Sequence, residues 1–125
     1  MEFAKMVAPS LQTLRRVHLE IIVNDESDIL LARLCVELEE ILGKNKLESL
    51  EIEFGVDSTY CHTGDVWGRL EKVLLKSGWP MLKHISIVIY TWSQEVQVAL
   101  QRLPRTQFTG LTSSKNLDFQ FSVRG

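Results

Sequence analysis

The chain has 125 residues, 45% of them apolar and 24% charged, with a formal net charge of −2. That length suits one domain, residues 1–125, able to bury a core without metal or disulfide support, and the composition excludes a disordered chain and a membrane protein. No apolar run approaches the roughly 20 residues needed to cross a bilayer, and a slightly acidic chain has no general attraction for nucleic acid or an anionic membrane surface.

Residues 1–10 place Phe3, Met6 and Val7 at helical spacing before Pro9 ends the run. They are expected to form an N-terminal cap against the first strand, or the tail of a preceding helix. Acidic Glu2, a single Lys5 and the lack of a long apolar block do not make a secretory signal.

The first strand is predicted over Arg16–Val23. Asn24 to Ser27 then offer several N-cap groups for a helix running to about Leu42. Its apolar stripe is Leu31, Leu34, Cys35, Leu38, Ile41 and Leu42, and Gly43 stands where a C-terminal glycine belongs. A second strand covers Leu50–Val56. Residues 57–64 make the longest polar loop, followed by a helix with Trp67, Leu70, Val73 and Leu74 on one face. That helix stops near Ser77-Gly78, before Pro80. The third strand is His84–Tyr90. Ser93 and Glu95 open a third helix with the stripe Val96, Leu100 and Leu103, ending before Pro104. A Thr/Gly/Ser-rich connection, 106–116, leads to a fourth strand at Leu117–Val123. The order is βαβαβαβ.

One pattern recurs in all four strands: apolar residues alternate, so each strand has one apolar face. The copies contain Val17, Leu50, Ile85 and Leu117 at the same position, in steps of 33, 35 and 32 residues. A steady step of this kind marks a repeat architecture. Single helices between strands imply a parallel sheet with right-handed crossovers.

The alternate positions decide between two such sheets. Aligning the copies gives outward rows His18/Glu51/Ser86/Asp118, Glu20/Glu53/Val88/Gln120 and Ile22/Gly55/Tyr90/Ser122. Burying Glu20, Glu51, Glu53 and Asp118 unpaired beneath a second helix layer would cost several kcal/mol per charge. The expectation is therefore an α/β solenoid, four parallel strands in order 1-2-3-4 with helices on one face.

The strand–helix repeat resembles a leucine-rich repeat. Trp67-x-x-Leu70 through Trp79-Pro80-x-Leu82-x-x-Ile85-x-Ile87, and the closing Leu117-Asp-Phe-Gln-Phe, are similar to the long, degenerate repeats of fungal F-box-type leucine-rich-repeat proteins. The resemblance covers nearly the whole chain and implies a protein-binding solenoid. Two features depart from it: Ile22, Gly55, Tyr90 and Ser122 stand where the usual repeat carries an asparagine ladder, and the step exceeds the usual ~20–29 residues. No F-box segment precedes the repeats, so attachment to a ubiquitin ligase is not implied.

Chemistry-bearing motifs are few. There is no G-x-S-x-G, P-loop or G-x-G-x-x-G. His18 and His84 lack a cysteine, histidine or carboxylate at ligand spacing along the chain, and Cys61-His62 lacks the further ligands that zinc needs. No catalytic residue, metal ligand or cofactor is assigned. Cys35 and Cys61 are too few for a disulfide framework. With no N-x-S/T acceptor, an intracellular location, cytoplasmic or nuclear, is expected. Trp67 and Trp79 read as packing residues, while Trp92 follows the third strand and is expected to be exposed.

The outward sheet face is the candidate binding surface: His18, Glu20, Ile22, Glu51, Glu53, Ser86, Val88, Tyr90, Asp118 and Gln120. Clustered carboxylates suit a protein partner with a basic surface, and Tyr90, Ile22 and Val88 supply apolar anchors. The expected function is non-enzymatic protein–protein interaction. The alternative is a small α/β ligand-binding or enzymatic domain with its site at the C-terminal strand ends, near 24–27, 57–64 and 91–93 and drawing on Asp57, Cys61, His62 and Trp92. An uncovered outer edge on the fourth strand predicts either homo-oligomerisation through that edge or a place within a longer repeat array.

Overall fold

The structure, a computed structural model, describes residues 9, 12–23, 29–56 and 66–125. The expected cap at residues 1–10 (Pro9 excepted), the N-cap at Asn24–Ser27, and Asp57, Cys61 and His62 in the polar loop lie outside the described residues. The elements are β1 (Arg16–Val23), α1 (Ile29–Glu40), β2 (Ser49–Val56), α2 (Val66–Leu75), β3 (His84–Thr91), α3 (Gln94–Leu100), α4 (Leu103–Thr106), α5 (Thr109–Ser113) and β4 (Asp118–Arg124). The four strands form one sheet in order β1-β2-β3-β4, every pair parallel.

Alternation sorts the strands' side chains as the pleat requires. Leu50, Ile52, Phe54, Ile85, Ile87 and Ile89 are wholly buried, beside Val17 and Ile21 of β1. The helices complete this core with Leu34, Cys35, Leu38 and Ile41 from α1 and its end, and Trp67, Leu70, Val73 and Leu74 from α2. The intervening strand positions remain half-buried or exposed. Helices thus cover the apolar face of the sheet. No helix among the described residues is long and apolar enough to cross a membrane.

The connections repeat as well. The residue before each strand entry accepts from the next copy: Glu48 N–H donates to Arg15 O at 2.7 Å, Lys83 N–H to Glu48 O at 2.9 Å and Asp118 N–H to Lys83 O at 2.8 Å. The ladder is therefore set in register before the strands begin. Gly43, at φ +74°, ends the turn after α1 in the left-handed region that glycine tolerates. Its N–H donates to Gly78 O at 2.9 Å. Buried Asn45 donates to Ile41 O and Gly78 O and accepts from Leu47 N–H, satisfying its amide where an unpaired polar group would be costly. A Cβ on Gly78 would lie 2.6 Å from Leu42, so this close approach of the two connections requires glycine.

The last repeat departs from expectation in two places. First, alternation alone sets Leu117 opposite Ile85; in the structure Phe119 stands there, with Phe121 opposite Ile87 and Val123 opposite Ile89. The shift is two residues, so every side chain keeps its predicted face. The outward rows become Arg16/Ser49/His84/Asp118, His18/Glu51/Ser86/Gln120, Glu20/Glu53/Val88/Ser122 and Ile22/Gly55/Tyr90/Arg124. Second, the 106–116 connection is not an irregular loop. Helix α3 ends at Leu100, Pro104 lies in the first turn of α4, where proline is tolerated, and α5 follows.

This segment buries Phe108 and Leu111 completely. Phe108 meets Trp67, Phe119 and Phe121 at ring-centroid distances of 6.2, 5.9 and 5.8 Å, and Trp67 meets Phe54 edge-on at 5.1 Å. The aromatic chain joins β2, α2 and β4. It explains the register of β4: Phe119 and Phe121 are the residues that flank Phe108.

Candidate functional site: the open face of the sheet

Every strand delivers its even-numbered residues to the open face, except β2, whose odd-numbered residues lie there. The strands are about 4.8 Å apart, with about 7 Å between successive rows along a strand. All ten sequence-predicted site residues, His18, Glu20, Ile22, Glu51, Glu53, Ser86, Val88, Tyr90, Asp118 and Gln120, lie on it. They divide into three groups.

The first group is a charge cluster on β1 and β2. His18 Nδ1 is 3.5 Å from Glu51 Oε2, while Nε2 is 3.5 Å from Glu53 Oε2 and 4.0 Å from Glu20 Oε1. Spacing along the chain shows His18 with no carboxylate neighbour at ligand spacing. The structure corrects this: Glu20, two residues along β1, shares the same face, and the parallel register brings Glu51 and Glu53 of β2 beside His18. Glu20 stands directly opposite Glu53, so like charges meet across the strand pair. In its cationic form the His18 imidazole offsets part of that repulsion.

His18, Glu20 and Glu53 also each offer one metal-ligand atom, all within 4.8 Å of one another. They are the residues best placed to touch a cation. All three carry substantial solvent exposure, as solvated carboxylate clusters do without any ion, and we count them as the charge of the face.

The second group is a pair at the strand entrances. Asp118 does not join the acidic cluster. The two-residue shift of β4 places it opposite His84, with His84 Nδ1 3.1 Å from Asp118 Oδ2. His84 thus gains the carboxylate partner that chain spacing does not show. Beside it a polar cleft is lined by Arg15, Arg16, Glu48, Ser49, Glu51 and His84, where Arg15 and Glu48 approach to 3.8 Å.

The third group is apolar and lies at the C-terminal strand ends. Ile22, Gly55, Tyr90, Thr91, Trp92 and Gly125 line a cleft of about 250 Å³. Ile22 is 61% exposed, Tyr90 39% and Trp92 84%, the last as its position after β3 predicts. Thr91 belongs to the buried face and accepts from Ser93 N–H through Oγ1 at 3.3 Å; Ser93 Oγ in turn accepts from Val96 N–H and caps α3. The open-face reading of the sequence named Ile22 and Tyr90 but not Gly55, while Trp92 entered only through the alternative reading of a site at the C-terminal strand ends; the structure brings the four to one cleft. The signal lay in the row Ile22/Gly55/Tyr90, where a glycine interrupts two large apolar residues.

The tryptophans expected to pack do so in different ways. Trp67 is wholly buried, whereas Trp79 is half-buried and donates from Nε1 to Val73 O at 3.0 Å. Cys35 is buried against the helix layer, and that burial pushes its thiol up from the ordinary value of 9.0, with the Arg69 charge opposing the shift. It is an inert packing residue.

Compared with known proteins, the chain matches no family model, no curated protein and no solved structure.

Proposed function

We propose that this chain is a non-enzymatic protein-interaction module, a leucine-rich-repeat-like solenoid that binds a protein partner through the open face of its sheet. The observation that carries the reading is the junction on that face of an acidic quadrant, Glu20, Glu51 and Glu53 around His18, with the exposed apolar cleft of Ile22, Tyr90 and Trp92. A charged field steers a partner and an apolar anchor holds it.

Parallel strands stepping by 33–35 residues between Val17, Leu50, Ile85 and Phe119 support the solenoid part of the reading, as do the recurring hydrogen bonds at the strand entrances. The lack of an asparagine ladder has a physical account. Strands β1 to β3 continue through that position, so Ile22, Gly55 and Tyr90 belong to the open face, where a side chain has no buried backbone to satisfy. The buried thiol of Cys35 suits an intracellular, reducing setting.

The test is capture from a native extract with the wild-type protein and a Glu20→Lys, Glu51→Lys, Glu53→Lys triple variant of unchanged helicity. The reading expects partners held by the wild type and lost with the variant. Equal capture by both removes the acidic quadrant from recognition and shifts attention to a ligand at the C-terminal strand ends.

A further inference from the structure

Gly55 is the penultimate residue of β2, paired on both sides in a central strand, where glycine weakens a sheet by its backbone entropy and its lack of a packing side chain. Two ordinary reasons for a glycine fail here. Its φ is not positive; among the described residues Gly43 is the glycine that needs the left-handed region. Nor does any neighbour press on the site: a Cβ at position 55 would have Ile22 Cγ1 at 3.8 Å as its nearest contact, an ordinary van der Waals distance. Gly78 and Gly110 differ, since a Cβ there would come within 2.6 Å of another side chain. What the missing side chain does at position 55 is open a slot.

The dimensions of that slot follow from the sheet. Ile22 on β1 and Tyr90 on β3 flank Gly55 in one row, with their strands about 10 Å apart. Once the two wall side chains take their own thickness, the gap is about one side chain wide. Trp92, 84% exposed, stands at its rim. Along β2 the same face continues with Glu53 and then Glu51, about 7 and 13 Å from Gly55, and Glu20 lies beside Glu53. An apolar socket therefore adjoins two acidic rows at the spacing of alternate residues in an extended peptide.

We propose that Gly55 is the specificity-determining position of this face, and that its slot receives one large apolar side chain of a protein segment carrying Lys or Arg two and four residues away. The inference rests on the sheet-face reading above and adds to it the partner's chemistry. Charge complementarity with Glu20, Glu51 and Glu53 sets the basic positions, and the slot sets the anchor.

A peptide that reads the same in both directions tests this without assuming an orientation: Lys-Ser-Lys-Ser-Phe-Ser-Lys-Ser-Lys, titrated into ¹⁵N-labelled protein. Amide shifts are expected to centre on Gly55, Ile22 and Tyr90 and to extend to Glu53 and Glu20. Replacing the four lysines by glutamate, or the phenylalanine by serine, is expected to weaken binding at least tenfold. Gly55→Val, whose Cβ would meet only an ordinary contact with Ile22 and which suits a β-strand, is expected to abolish the shifts while raising Tm. No saturable shift with the lysine peptide, equal binding of the glutamate peptide, or full binding by Gly55→Val each overturns the proposal. If Gly55→Val still captures the partner that the triple lysine variant loses, the sheet-face reading stands and the slot falls. If neither variant changes capture, both fall.

Discussion

The two faces of this sheet are built from the same strands, one residue apart, yet they live under different physics. On β3, Ile85, Ile87 and Ile89 are wholly buried, while the neighbouring positions Ser86, Val88 and Tyr90 are half-buried or exposed. The inner rows are held by contacts with α1, α2 and the Phe108 segment and cannot change without leaving a cavity. The outer rows carry charge repulsion, an open slot and an exposed tryptophan, none of which helps the fold. The difference teaches where selection for stability ends on a half-covered sheet: at the pleat, not at the end of an element.

Adjacent residues of β3 give the sharpest way to break this comparison. Ile87→Ala should cost about 2–5 kcal/mol through lost burial and the cavity left behind, and Val88→Ala less than about 1 kcal/mol, both read by chemical denaturation. An equal loss at Val88 would mean that a second layer covers the outer face.

The Cys35 thiol offers a test of the inner side by pH. Its folded-state value is raised by burial, so the folded protein holds the thiol proton more tightly than the unfolded chain does. The neutral thiol costs nothing below the unfolded value. Stability should then fall as pH rises past about 9, where the unfolded chain releases the proton first. Denaturation midpoints between pH 7 and 10 should decline more steeply for the wild type than for Cys35→Ala. Parallel declines would show that the thiol reaches water in the folded state.

The smallest effect belongs to the outer side. Glu20 and Glu53 oppose each other across β1 and β2, and both are solvated. Glu53→Gln should therefore stabilise the protein by only a few tenths of a kcal/mol, a gain that moderate salt should erase by screening the same repulsion. Destabilisation by the substitution would instead mark the carboxylate as a structural partner of His18.

Much of this architecture is legible in the one-dimensional pattern. Strict alternation fixes a strand's two faces whatever it packs against, and the stripes of α1 and α2 name residues that become the helix side of the core: Leu34, Cys35 and Leu38, then Trp67, Leu70, Val73 and Leu74. The order of strands and the coverage of one face follow from where charges would be too costly to bury. Pattern is less able to count. Between α3 and β4 the chain spends its residues on two short helices whose composition reads as loop, and Phe108 sits there among polar neighbours with no periodicity to mark it.

What the sequence by itself determined was therefore each residue's face and each strand's place, because period-two alternation and the cost of buried charge are local quantities. Only the tertiary structure decided the register of β4, since Phe119 and Phe121 settle around Phe108, which is itself packed against Trp67 of α2, contacts that no alternation encodes. It also decided which charges meet: His18 with Glu51 and Glu53, and His84 with Asp118. The same lateral registration turned Gly55 from a weak point in a strand into the floor of a slot, because the walls belong to the strands on either side.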